Sequence, residues 1–235
     1  MGIIATLLYM SYRRKQNDNK IINYEKKKSD DLLLNILPNE TAEELKITGK
    51  ATARKYELVT VLFTDFVDFT QISEELTAEE IVEQINFCFS GFDNILDKYN
   101  IEKIKTVGDS YMCAGGLPVI NTSNPRDVMN AAIEIRHFME NYNGERAKAG
   151  KCLFRIRIGI HSGSVVAGVV GVKKFAYDIW GDTVNIASRM ESASEPDRIN
   201  ISGSTYELLK GKFSFEYRGR IQAKHKGEID MYFLN

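Results

Sequence analysis

Two aspartates in this chain have the surroundings of metal ligands. Asp65 lies in Phe-Thr-Asp-Phe, just past an apolar, β-rich run from Leu58 to Phe63. Asp109 lies in the tight turn Gly108-Asp109-Ser110. Carboxylates on neighbouring strand ends can share hard cations, because Mg²⁺ takes a few of them and completes its shell with water and substrate phosphates. Two such ions about 4 Å apart activate an attacking oxygen and steady a leaving phosphate. Taken singly, each residue has a plainer reading, Asp109 as a turn former and Asp65 as a strand-end cap. The pair in this strand order points to metal binding. Around Asp65, the segment from Phe66 to Thr70 passes from strand into helix, and its backbone N–H groups can cradle phosphates at a helix N-terminus.

Other chemistry is thin. No Gly-x-x-x-x-Gly-Lys-Ser/Thr phosphate loop is present. His137 falls in an amphipathic helix, His161 at a strand end and His225 in a loop; none has a metal-ligand partner at helical spacing, and no Ser-His-Asp arrangement occurs. Cys88, Cys113 and Cys152 are odd in number and form no Cys-x-x-Cys, which fits a reducing, cytosolic setting.

The elements that must hold the aspartates are legible from Tyr56 onward. Apolar residues recur at helical spacing over 79–99 and again from Val128 to Tyr142. Ile101–Val107 and Tyr111–Ala114 read as strands around the Gly108 turn. Phe154–His161 reads as a strand with Arg155 and Arg157 outward and Ile156 and Ile158 inward. Strand, helix, hairpin, helix, strand is the βαββαβ ferredoxin-like plan. The fold class is therefore α+β, with this core, a C-terminal α/β extension and a helical linker in front.

Bulk properties agree with a globular domain. The chain has 235 residues, 43% of them hydrophobic and 27% charged, which affords a core without staples. Its net charge of −1 gives no global field that would favour nucleic acid. Residues 3–10 are apolar and Arg13, Arg14 and Lys15 follow. The run is shorter than the roughly 20 residues of a spanning helix, and its basic flank lies on the wrong side for a signal peptide. It reads as the remnant of a transmembrane helix or as a tail; either places the globular part in the cytoplasm, in the first case on the inner face of the membrane. Residues 11–55 read as a polar helical linker interrupted at Pro38, with a short parallel coiled coil as the sharper alternative. Residues 56–235 form the main domain.

Several segments together resemble the class III nucleotide cyclases. They are Leu-Phe-Thr-Asp-Phe-Val-Asp-Phe-Thr (62–70), Lys-Ile-Lys-Thr-Val-Gly-Asp-Ser-Tyr-Met (103–112), Arg-Ile-Gly-Ile-His-Ser-Gly (157–163) and Tyr-Asp-Ile-Trp-Gly-Asp-Thr-Val-Asn-Ile-Ala-Ser-Arg-Met (177–190). The resemblance covers about residues 56–235. It implies that Asp65 and Asp109 hold two divalent cations, Mg²⁺ or Mn²⁺. It implies further that Lys105 and Asp178 read the purine and Asn185 places the ribose. Arg189 would stabilise the transition state at the α-phosphate, with Lys224 and Arg157 on the phosphates. Phe66 and Thr70 belong to the same substrate-binding set. The family more often shows Gly where His225 stands.

The choice of purine has a chemical basis. Adenine offers an acceptor at N1 and a donor at N6; Lys105 only donates and an ionised Asp178 only accepts. Guanine reverses both, and guanylyl cyclases use Glu and Cys at these positions. The resemblance therefore implies an adenylyl cyclase that converts ATP to 3′,5′-cyclic AMP and pyrophosphate. In the family the aspartates and the purine-reading set come from different subunits, which implies a head-to-tail homodimer with two shared sites. An upstream sensor or membrane tether would signal through the linker.

Overall fold

The structure, a computed structural model, describes residues 2–171, 174–223 and 227–235. It divides into two compact units, Met1–Thr52 with Val169–Tyr177, and Ala53–Gly168 with Asp178–Asn235. In the first, residues Gly2–Leu34 form a single helix, α1, and Asn39–Thr48 form α2. Pro38 stands just before α2, where its missing N–H costs nothing. Helix α2 stops at Gly49, whose left-handed φ of 71° lets its N–H return to the Leu45 carbonyl. Lys46 pairs with Asp30 at 2.9 Å, tying α2 to α1. Ile4, Leu7, Leu8, Ile21 and Ile22 of α1 are exposed. Among the described residues no helix is long and apolar enough to cross a membrane.

The larger unit is built on one sheet. Its elements are β1 (Arg54–Phe66), α3 (Phe69–Glu75), α4 (Ala78–Leu96), β2 (Ile101–Val107), β3 (Ser110–Gly115), α5 (Asn124–Lys148) and β4 (Ile156–Val170). There follow β5 (Ala176–Trp180), α6 (Asp182–Ser192), β6 (Ile199–Ser202), α7 (Gly203–Leu209), β7 (Phe215–Ala223) and β8 (Gly227–Leu234). The strands run β2-β3-β1-β4-β6-β8-β7, with β5 on β4. The first four in this order, joined antiparallel, are the ferredoxin-like core expected from the sequence. The remainder is the C-terminal extension.

Helices α4 and α5 cover one face. Thr77 and Glu80 close a capping box at the start of α4, and Cys88, Phe89, Phe92, Ile95 and Leu96 line its buried stripe. These meet Leu62, Phe66, Tyr111, Ile156 and Ile158 from the strands and Val128, Ile135 and Met139 from α5. Strand β4 begins two residues later than the periodicity suggests. The side chain of Asn143 takes both the N–H and the carbonyl of Phe154, at 2.8 and 2.9 Å, before the ladder can.

Helix α6 covers part of the opposite face, and two glycines of β4 let it approach. A Cβ at Gly159 would lie 1.8 Å from the Glu191 nitrogen, and one at Gly163 would lie 2.6 Å from Thr183 Oγ1. No side chain fits at the first position without moving the helix.

Candidate active site

The sheet register brings the acidic residues together. Asp65, the penultimate residue of β1, is the cross-strand partner of Arg157 on β4. On the other side of β1, Thr64 pairs with Tyr111, and Ser110 Oγ donates to the Thr64 carbonyl at 3.1 Å. Gly108, at φ 62°, makes the turn that carries Asp109 beside this contact. The charge of Asp109 weighs on Asp65: its pKa is pushed up to about 6, first by burial, then by Asp109 and Glu191, against the opposing pull of Arg157. Arg157 donates through Nη2 to Asp65 Oδ2 at 3.0 Å and through Nε to Glu191 Oε1 at 2.9 Å.

This acidic cluster is short of positive charge. The carboxylates of Asp65 and Glu191 share one guanidinium, and the charge of Asp109 bears on Asp65 as well. A divalent cation fits such oxygen donors, and it would relieve the repulsion that keeps Asp65 hard to ionise. Among the described residues no group of three or more His, Cys, Asp or Glu is arranged to hold a metal unaided. Phosphates and water would have to complete the shell.

A second polar cluster lies on β2 and β5. Lys105 Nζ contacts Asp178 Oδ2 at 2.6 Å. The other oxygen of Asp178 accepts from the Ile179 N–H at 2.9 Å, which fixes the carboxylate while the lysine arm stays exposed. Helix α6 bears Asn185 and Arg189 one turn apart. Asn185 is exposed, and Arg189 Nη1 donates to the Gln222 carbonyl of β7 at 2.9 Å.

The Adenylate and Guanylate cyclase catalytic domain family matches residues 51–235. The chain belongs to this family. It is 40% identical over 215 residues to guanylate cyclase soluble subunit beta-2 of Rattus norvegicus, covering 89% of this chain and 30% of that protein. It is 33% identical over 234 residues to an adenylate cyclase of Mycobacterium bovis, covering 99% of this chain and 52% of that one. A solved relative is the catalytic core of a rhodopsin-guanylyl cyclase with converted specificity in complex with ATPαS. Its TM-score is 0.73 at 36% identity, over 78% of this chain and 97% of that one. The chain thus spans about a third of the rat subunit and half of the mycobacterial enzyme. Cyclases of both purine classes match, so membership by itself leaves ATP or GTP open. Catalytic domains of this class use divalent metal ions.

Within the cyclase domain, the structure brings Asp65, Asp109 and Arg157 into one cluster and Lys105 and Asp178 into another. Arg157, expected to face outward, does leave the core face but is bridged between two acids. The ring of Phe66 is 2% exposed and packs on Phe69, Phe89 and Phe154. Only its backbone can reach a ligand. The next N–H, of Val67, is already bound to the Arg155 carbonyl at 2.8 Å. Thr70 is exposed in the first turn of α3, after Asp68 at φ 54°. Lys224 and His225 lie outside the described residues. His161 is buried, with Nδ1 at 2.6 Å from Ser202 Oγ, and burial lowers its pKa to about 4. Sequence reasoning missed Glu191, a carboxylate on the buried stripe of α6 with Thr183, Ala187 and Met190. An acid at a core-facing helical position was the available signal.

Proposed function

We propose that this domain is an adenylyl cyclase that turns ATP into 3′,5′-cyclic AMP and pyrophosphate at sites shared between two copies of the chain. One observation carries the purine assignment: the donor Lys105 and the acceptor Asp178 converge to 2.6 Å, side by side as adenine N1 and N6 require. GTP would set acceptor against acceptor at Asp178 and donor against donor at Lys105. Sites built to hydrogen-bond one partner reject a mismatched one by up to ~10⁴-fold. The fold alone does not choose the purine, since its solved relative is a guanylyl cyclase core with converted specificity in complex with ATPαS.

The side chains divide the work. Lys105 donates to adenine N1 and Asp178 accepts from N6. Asn185 orients the ribose so that its 3′-oxygen faces the α-phosphorus. Arg189, steadied on one edge by the Gln222 carbonyl, offers its other N–H groups to the charge that grows on the α-phosphate. Arg157 and Lys224 meet the remaining phosphates. Asp65 and Asp109 would hold two divalent cations, Mg²⁺ or Mn²⁺, which lower the cost of forming the attacking alkoxide and neutralise the phosphates.

The helix geometry supports sharing between copies. Glu191 faces the sheet, and Arg189, two residues earlier, is turned about 200° away from it. The arginine of one chain is therefore directed away from that chain's own aspartates. A two-fold, head-to-tail pair would supply the missing half of each site. The test is product analysis: the purified chain, given ATP or GTP with Mg²⁺ or Mn²⁺, should form cyclic AMP and little cyclic GMP. Preferential formation of cyclic GMP would refute the adenine reading.

A further inference from the structure

Glu191 has no part in the reaction as drawn above, yet it is the most buried carboxylate of the site, at 5% exposure. A buried charge needs partners. Its Oε1 accepts from Arg157 Nε at 2.9 Å and its Oε2 accepts from Ser192 Oγ at 3.2 Å. The other arm of Arg157 reaches Asp65 Oδ2 at 3.0 Å. The guanidinium thus lies between two acids, one buried on α6 and one on β1.

This arrangement limits what Arg157 can do to Asp65. A free guanidinium prefers to grip both oxygens of a carboxylate. Here its Nε edge is turned toward Glu191, so Asp65 is held through Oδ2 while Oδ1 stays outside the pair. The charges matter equally. Arg157 and Glu191 sum to zero, so a cation approaching Asp65 and Asp109 meets no net positive neighbour. The close backbone contact at Gly159 fixes where α6 presents this carboxylate.

We propose that Glu191 is a positioning residue for the cation site: acting through Arg157, it balances the guanidinium charge and keeps one oxygen of Asp65 available to metal. The proposal rests on reading Asp65 and Asp109 as cation ligands.

Mn²⁺ binding tests it directly. Free Mn²⁺ is followed by electron paramagnetic resonance, with an ATP analogue lacking the 3′-hydroxyl present, so no turnover is needed. Glu191→Gln keeps the shape and removes the charge. It should weaken Mn²⁺ binding by ~10-fold, as loss of an outer-shell partner does. Analogue binding in EDTA should stay within about twofold, because no phosphate contact is lost. Glu191→Asp keeps the charge and should bind Mn²⁺ within about threefold of the parent. Parent-like Mn²⁺ binding in Glu191→Gln overturns the proposal, as does a Glu191→Asp variant that binds no better than Glu191→Gln. Should Glu191→Gln fail to fold, Glu191→Met, of similar length and without charge, takes its place with the same expected loss of ~10-fold. A parent that binds no Mn²⁺ refutes the cation site itself, and the role of Glu191 falls with it.

Discussion

The two polar clusters of this domain are built on opposite terms. Lys105 and Asp178 are complete without a ligand: opposite charges touch, and a backbone N–H holds the acid in place. The cluster around Asp65 is incomplete, because two carboxylates share one guanidinium, the charge of Asp109 bears on Asp65, and burial raises the cost of ionising it. A closed pair can discriminate, since a ligand must match it to displace it. An acidic cluster short of positive charge demands a counter-ion. Under the proposed function, selection and catalysis would thereby be separated on one sheet.

The largest expected effect comes from the incomplete cluster. Asp65→Asn should lower kcat by roughly a thousandfold, the scale of losing transition-state charge stabilisation. The same variant should melt no lower than the parent at pH 8, because it removes a charge that the surroundings disfavour. A marked loss of stability would mean that the cluster is satisfied as it stands, and the contrast would break.

Exchange within the closed pair should act on selection instead. Lys105→Glu with Asp178→Cys should shift the ratio of kcat/KM for ATP over GTP by ~100-fold or more toward GTP. If both substrates simply decline together, the pair is structural.

His161 supplies a control on the same chain, a buried titratable group satisfied by a serine. Its pKa is about 6.5 when unfolded and about 4 when folded. Above pH 6.5 its contribution is fully present. As pH falls toward 4 the unfolded chain takes the proton first, and about 3 kcal/mol of stability is lost. Urea unfolding at pH 7 and pH 4.5 should show this slope flattened in His161→Gln. An unchanged slope would place the acid sensitivity elsewhere, in the carboxylate clusters.

The smallest effect concerns how the clusters combine. Asp65→Ala and Arg189→Ala should each be inactive. An equal mixture should regain about a quarter of the parent activity, because half of the pairs are mixed and each carries one intact site. A mixture that stays inactive while the variants still pair would remove the shared-site geometry.

Local signals made much of this legible in the sequence. The Gly108 turn, the 3.6-residue stripe of α4 and the outward set of Arg157 are properties of short segments, and the structure reproduces them. Cross-strand and helix–sheet relations were not legible. That Arg157 faces Asp65 depends on the β1–β4 register, and that it also meets Glu191 depends on where α6 settles on β4. Phe66 shows the same limit. A backbone phosphate cradle is suggested by its neighbours in sequence, whereas the burial of its ring depends on how Phe89 and Phe154 pack against it. The single run of α1 was hidden as well, because its middle is polar and offers no apolar stripe to read.

The contact at Gly159 gives the domain an unusual sensitivity. Helix and strand meet there with only a hydrogen atom as spacer, and the helix carries groups assigned to ribose and phosphate. Substituting even a methyl would act as a wedge, lifting Asn185 and Arg189 together while leaving every reacting side chain chemically intact. Alignment in this enzyme class can thus be spoiled from beneath the helix, at a residue that never meets the nucleotide.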